Sequence, residues 1–171
     1  MRLKQLLSRR NRLHTVSACL AATFAGMSVV AWGQDQGAAT PKDVTAARKT
    51  LMVVIADNMQ EIEAMTGSGK IDLVRGRANA NSISAMLTAF PHLFPSTTNT
   101  WTPNVPRDAA IDTFTDPSLW KQYTFFYKEA QAASKYAFNA SRSENEAEFK
   151  KNATDLRLTC DTCHATFQKN N

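Results

Sequence analysis

The sequence predicts an all-α protein, an antiparallel up-down-up-down four-helix bundle. Three observations predict it. Apolar residues recur at three- and four-residue steps in four stretches of about 18 to 25 residues, the spacing that lines one face of a helix. No stretch shows the period-two alternation of a half-buried strand. Turn-forming residues separate the four stretches, so each can fold back on the one before it. The length, 171 residues, suits one such domain plus a processed segment.

The processed segment comes first. Met1 to His14 carries Arg2, Lys4, Arg9, Arg10 and Arg12 with no acidic residue, and an apolar run from Thr15 to Trp32 follows. That arrangement is the anatomy of a secretory signal peptide over residues 1–33, with cleavage expected after Ala31-Trp32-Gly33. The run is short for a membrane-spanning helix, so no membrane anchor is expected to remain. Ser8-Arg9-Arg10-Asn11-Arg12 loosely resembles a twin-arginine signal, a route for cargo that is already folded. The charge of +5 also changes meaning. Removing the five leader basic residues brings the 20 Lys and Arg down to 15, against 15 Asp and Glu. A formally neutral mature chain gives no reason to expect nucleic acid as a partner.

Residues 34–42 read as a flexible mature terminus, and residues 43–171 as the helical domain. The first helix starts at Asp43 and carries Val44, Ala47, Leu51, Ile55, Ile62 and Met65 on its apolar stripe, with Met52 and Met59 beside it. Gly67-Ser68-Gly69 ends it. The second runs from about Asp72 to Phe90 and stops before Pro91, weakened locally by Gly76. Five prolines between Pro91 and Pro117 make that stretch a long connection with little regular structure. Asp116-Pro117 opens the third helix, which is expected to bury Trp120, Tyr123, Phe126, Tyr127, Tyr136 and Phe138. Ser143-Glu144-Asn145-Glu146 has the form of a capping box for the fourth. There Phe149, Ala153, Leu156, Cys160, Cys163 and Phe167 follow one face.

Two of the three cysteines survive leader removal, and they lie in Cys160-Asp161-Thr162-Cys163-His164. This is the complete C-x-x-C-H pattern for covalent attachment of one haem c per chain. Two thiols three residues apart on a helix can bond the two vinyl groups along one porphyrin edge, and the adjacent imidazole can bind the iron. A thioredoxin-like redox pair would usually open a helix in a βαβ context, and zinc would need more ligands than His92 could add. These residues make Cys160 and Cys163 the attachment points and His164 the proximal axial iron ligand.

With a C-terminal attachment motif on a four-helix bundle, the chain resembles the cytochrome c-prime family, the class II c-type cytochromes. The resemblance spans about Val44 to Phe167. It rests on Arg48-Lys49-Thr50-Leu51-Met52, Leu93-Phe94-Pro95, Pro117-Ser118-Leu119-Trp120 and Cys160 to Phe167. Four positions after the first-helix arginine is where the family places the side chain facing the sixth iron site, and here that residue is Met52. Bundle register agrees. Met52 lies roughly 13 Å into its helix and His164 roughly 10 Å from the end of its own, at about 1.5 Å per residue, so the two are level. The resemblance is to the low-spin members with Met/His ligation, although other members leave the sixth site vacant and bind nitric oxide or carbon monoxide. Arg48 is a candidate propionate contact. Where members often carry an arginine four residues after the proximal histidine, this chain has Gln168. The implied function is a periplasmic one-electron carrier with transient redox partner proteins, not an enzyme; a gas-binding protein is the alternative. Family members are often homodimers through helices one and two.

Overall fold

Thr40 and Asp43 start the first helix by satisfying each other's backbone. Asp43 N–H donates to Thr40 Oγ1 (3.2 Å), and Thr40 N–H donates to Asp43 Oδ2 (2.9 Å). The Asp43 carboxylate also accepts from the Thr40 hydroxyl (2.6 Å), and that bond, followed by the one from Thr40 N–H, lowers its pKa. The reciprocal pair lets α1 (Pro41–Ser68) begin two residues before the expected Asp43, because proline at the first helical position loses no intrahelical bond. The computed structural model describes residues 39–108 and 111–169; the signal-peptide expectation over 1–33 and most of the expected terminal segment lie outside them. Gly69, at φ 69°, closes α1 in the left-handed conformation glycine adopts most readily.

α2 (Leu73–Ala89) is capped by Asp72, whose carboxylate accepts from Arg75 N–H at 3.1 Å. It passes directly into a 3₁₀ turn, Phe90–Leu93. The third predicted helix is two pieces. A short α3 (Ser118–Lys121) breaks at Gln122, and α4 (Tyr123–Arg142) follows. The aromatic residues on either side of the break both anchor to the segment after α2. Trp120 Nε1–H donates to Phe94 O (3.1 Å) and Tyr123 O–H to Pro91 O (2.8 Å).

α5 (Glu146–Phe167) is capped at Asn145, not at Ser143 as the capping-box pattern suggested. Asn145 Oδ1 accepts from Glu148 N–H at 2.9 Å, since asparagine caps as well as serine. Ser143 is fully buried and donates to Asn139 O at the end of α4.

The described chain is all-helical apart from one isolated bridge between Thr115 and Gln168. α1, α2, α4 and α5 form the four-helix bundle, with α3 as the first turn of its third arm. None of the described helices is long and apolar enough to cross a membrane. α2 packs closely on α4 because small residues line the seam: Ala80 and Ser84 on one side, Ala130, Ala133, Ala137 and Ala140 on the other. Ser134 Oγ donates to Ser84 O (2.9 Å) across it. These alanines take the interior positions of α4, so Phe138, expected inside, is 48% exposed beneath the Arg142 guanidinium. On α1 the buried stripe includes Thr45 and Arg48, while the expected Ala47 faces solvent.

Gly76 has a packing role rather than a merely weakening one. A Cβ built there would lie 2.6 Å from Phe149 Cζ, and that ring is fully buried. Gly76→Ala should therefore lower stability by about 1 kcal/mol or more despite the better helix propensity of alanine, because overpacking outweighs a gain of about 1 kcal/mol. Chemical denaturation followed by circular dichroism checks this, and a stabilised variant would contradict the close approach.

Candidate functional site

α1 and α5, the first and last arms of the bundle, touch at few positions. The space between them near the C-terminal end of α5 is a cavity of about 420 Å³, adjoined by a smaller one of about 90 Å³. Met52, Ala56, Phe90, Phe126, Cys163 and His164 line both. The reason lies in register. Leu156, Cys160, Cys163 and Phe167 continue the α5 core stripe, but opposite the cysteines α1 offers Met52, Val53 and Ala56 at a distance instead of a packed partner. Cys160 faces the smaller cavity, whose floor includes Met59 and Leu87.

The walls of the larger cavity are aromatic. Phe94 meets Phe126 edge-on at 4.7 Å between centroids and Phe90 at 5.1 Å, and Phe126 meets Phe167 at 5.6 Å. Such edge-to-face packing makes a stiff apolar wall. Cys160 and Cys163 are not joined in a disulfide. Burial raises the Cys160 pKa and pushes Cys163 up to about 11, with help from Cys160 and Glu129. At neutral pH both are protonated. The His164 imidazole has an outer edge in solvent, yet desolvation on its inner side, followed by the Arg157 cation, lowers its pKa. It is therefore neutral at pH 7 and can offer a nitrogen lone pair. Asp161 and Glu63 hold the guanidinium of Arg157, at 2.5 and 3.5 Å.

Arg48 is 4% exposed and lines the cavity. It donates to Thr45 Oγ1 (2.9 Å) and Thr98 Oγ1 (3.2 Å), and its guanidinium lies 4.3 Å from the centre of the Phe94 ring. Among the described residues it makes no ion pair with a carboxylate. Desolvation lowers its pKa to about 10, so it stays charged at neutral pH. A buried cation held only by hydroxyls and a ring is poised for an anionic guest.

The structure thus brings together all five residues singled out from the sequence: Arg48 and Met52 from α1, and Cys160, Cys163 and His164 from α5. It leaves out His92, which is exposed and meets the Tyr127 ring at 5.9 Å. It adds a wall the sequence reading missed. Thr113, Phe114 and Thr115, from the long connection, line the large cavity. Lys169 N–H donates to Phe114 O (2.7 Å) and Asp116 N–H to Phe167 O (2.8 Å), while Lys169 pairs with Asp116 at 2.5 Å. Lys49 reaches the same segment from α1, donating to Asp112 O at 3.0 Å. The only hint in the sequence was a connection longer than the bundle needs.

Two thiols, a neutral imidazole, an aromatic slot and an uncompensated cation fit a porphyrin with acidic side chains, and they define a four-helix-bundle protein of the c-type haem class. A family model described as cytochrome c' matches residues 43–168. The chain belongs to the cytochrome c' family, whose members carry one covalently bound haem c, with its iron, per chain. Solved structures share the fold. Cytochrome c' from Thermochromatium tepidum superposes with a TM-score of 0.66 at 21% identity, covering 77% of this chain and 98% of that one. A cytochrome c' with ligand-controlled dimer dissociation gives 0.66 at 17% identity, over 77% and 98%. The nitric oxide complex of a cytochrome c prime variant from Alcaligenes xylosoxidans gives 0.63 at 15%, also over 77% and 98%. No curated protein matches in sequence.

Cys160 and Cys163 would hold the haem and His164 would bind its iron, so replacing both cysteines with alanine should abolish haem staining after denaturing electrophoresis. Haem retained in that variant would remove the attachment assignment. Arg48→Met should lower the reduction potential of the holoprotein by the order of 1 kcal/mol, the influence of one unit charge across a partly buried site. Spectroelectrochemical titration measures it.

Proposed function

We propose that this cytochrome c' family member is an exported one-electron carrier, with Met52 as the sixth iron ligand opposite His164. The observation that carries the reading is that Met52, from α1, and His164, from α5, line the same two cavities. When bound, haem would supply a ferric/ferrous couple, with His164 and Met52 the residues that would hold its iron. The protein residues do the rest. Cys160 and Cys163 would hold the porphyrin, Arg48 would meet its acidic side chains, and Phe90, Phe94, Phe126 and Phe167 would keep water out of the slot. This reading makes the protein a carrier rather than an enzyme. The leader-like basic and apolar N-terminus supports the periplasm as the location, where redox partner proteins would meet the carrier transiently.

The second reading is a five-coordinate gas-binding protein in which Met52 only packs in the distal pocket. The apolar character of that pocket favours it, as does the structural likeness to the nitric oxide complex from Alcaligenes xylosoxidans. A homodimer through α1 and α2 is the corresponding proposal for assembly. Val53 and Val54 are exposed on α1, and a structural relative is a dimer that dissociates under ligand control.

The visible spectrum of the holoprotein, reduced and oxidised, separates the two readings. A six-coordinate carrier gives sharp reduced α and β bands that carbon monoxide leaves unchanged, and Met52→Ala turns them into a broad high-spin spectrum. A wild-type spectrum that is already high-spin and shifts with carbon monoxide selects the gas-binding reading.

A further inference from the structure

Phe167 lines the cavity three residues after His164, and its ring also reaches outward. It meets Phe125 of α4 at 5.9 Å between centroids. Phe125 is 44% exposed, an unusual position for a large apolar ring on a chain that buries Phe126 beside it. Around it, where α3 breaks into α4, lies a shallow groove formed by Lys121, Gln122, Thr124, Phe125 and Lys128. Both lysines are exposed, neither is in an ion pair among the described residues, and no acidic residue lines the groove. Glu129, the nearest acid in sequence, turns away to the smaller cavity and acts on Cys163. Lys169 is engaged by Asp116.

The groove therefore combines an apolar centre, a cationic rim and a direct ring-to-ring contact with the wall of the cofactor slot. From that combination we infer that the Lys121, Phe125 and Lys128 face is the docking surface for an acidic one-electron redox protein, with Phe125 and Phe167 a contiguous aromatic path from that face to the wall of the cofactor slot. This inference rests on the carrier reading. Charge complementarity identifies the occupant: two exposed lysines in a groove with no acidic lining residue select a carboxylate-rich face and steer its approach, and a central aromatic ring surrounded by charge is the usual form of a small transient contact. The step is the passage of one electron from the reduced partner to ferric iron, or from ferrous iron to an oxidised partner. No bond forms or breaks and no proton moves.

The test uses the full holoprotein, labelled with ¹⁵N, in the ferrous state under carbon monoxide. That state is diamagnetic on either reading, since Met52-ligated ferrous iron is low-spin without the gas and five-coordinate iron becomes low-spin on binding it, so the mapping does not depend on which reading holds. Hexacyanochromate(III), a paramagnetic and substitution-inert trianion, is titrated in as a stand-in for an acidic face. Broadening should cluster at the amides of residues 121–128, disappear in high salt and be lost in the Lys121→Gln, Lys128→Gln double variant. In stopped flow, that variant should be oxidised by ferricyanide about threefold more slowly at low salt, with the difference vanishing at high salt. Phe125→Leu should slow the same reaction while leaving trianion binding intact, a split that a merely structural role would not produce. Broadening centred instead on Lys49 or Arg107 overturns the inference. So does an unchanged ferricyanide rate in the double variant, or a wild-type dimer that the double variant converts to a monomer, which makes the face a contact between copies. A gas-sensitive spectrum with broadening still at 121–128 defeats the carrier reading alone.

Discussion

The arrangement depends on a gap. α5 turns two thiols and an imidazole toward α1 within little more than one helical turn, and a helix cannot present three such groups inward while its neighbour packs fully against them. The bundle resolves this by concentrating its packing elsewhere. The alanine seam between α2 and α4, with Ser84 and Ser134 bonded across it, and the fully buried Phe149 and Leu156 between α5 and its neighbours, hold three arms together tightly. α1 can then stand away from α5 at one end without the fold losing cohesion. The close seat of Phe149 on Gly76 belongs to the same solution, since it anchors the N-terminal half of α5 and leaves the C-terminal half to the cofactor.

The electrostatics follow from the gap. Arg48 is drawn out of water by α1, held by Thr45, Thr98 and the Phe94 ring, and given no carboxylate among the described residues. A protein that needed only a stable bundle would gain by an apolar side chain there. The Leu93-Phe94-Pro95 stretch, in the sequence one mark of the family resemblance, acquires a physical purpose. Phe94 supplies the ring under Arg48 and the edge against Phe126, and its carbonyl receives the Trp120 indole.

Much of this was legible in the chain itself. C-x-x-C-H is specific enough to name its chemistry without a fold, and bundle topology with helix rise puts Met52 level with His164; in the structure both line the same two cavities. What was not legible has identifiable reasons. Ser143 and Asn145 are both good helix caps, and only the geometry of a three-residue loop decides between them. Arg48 and Ala47 exchange inside for outside because periodicity ranks residues by polarity and cannot foresee a charge buried for a guest. Phe138 is displaced by alanines whose small size, invisible to a hydrophobic count, brings two helices close. The wall made by Thr113 to Thr115 depends on main-chain bonds to residues some fifty positions away, a pairing that no local pattern encodes.

That wall has a thermodynamic consequence. It is fastened to the end of α5 by two main-chain hydrogen bonds and one ion pair, with Lys49 bonded to it from α1, whereas α2, α4 and α5 are held by extensive side-chain packing. Releasing it leaves all four arms intact, so the free energy of opening is a small part of the free energy of unfolding. The wall formed by Thr113 to Thr115 is thus able to open on its own while the alanine seam stays closed. Its amides are the ones from which deuterium uptake would begin.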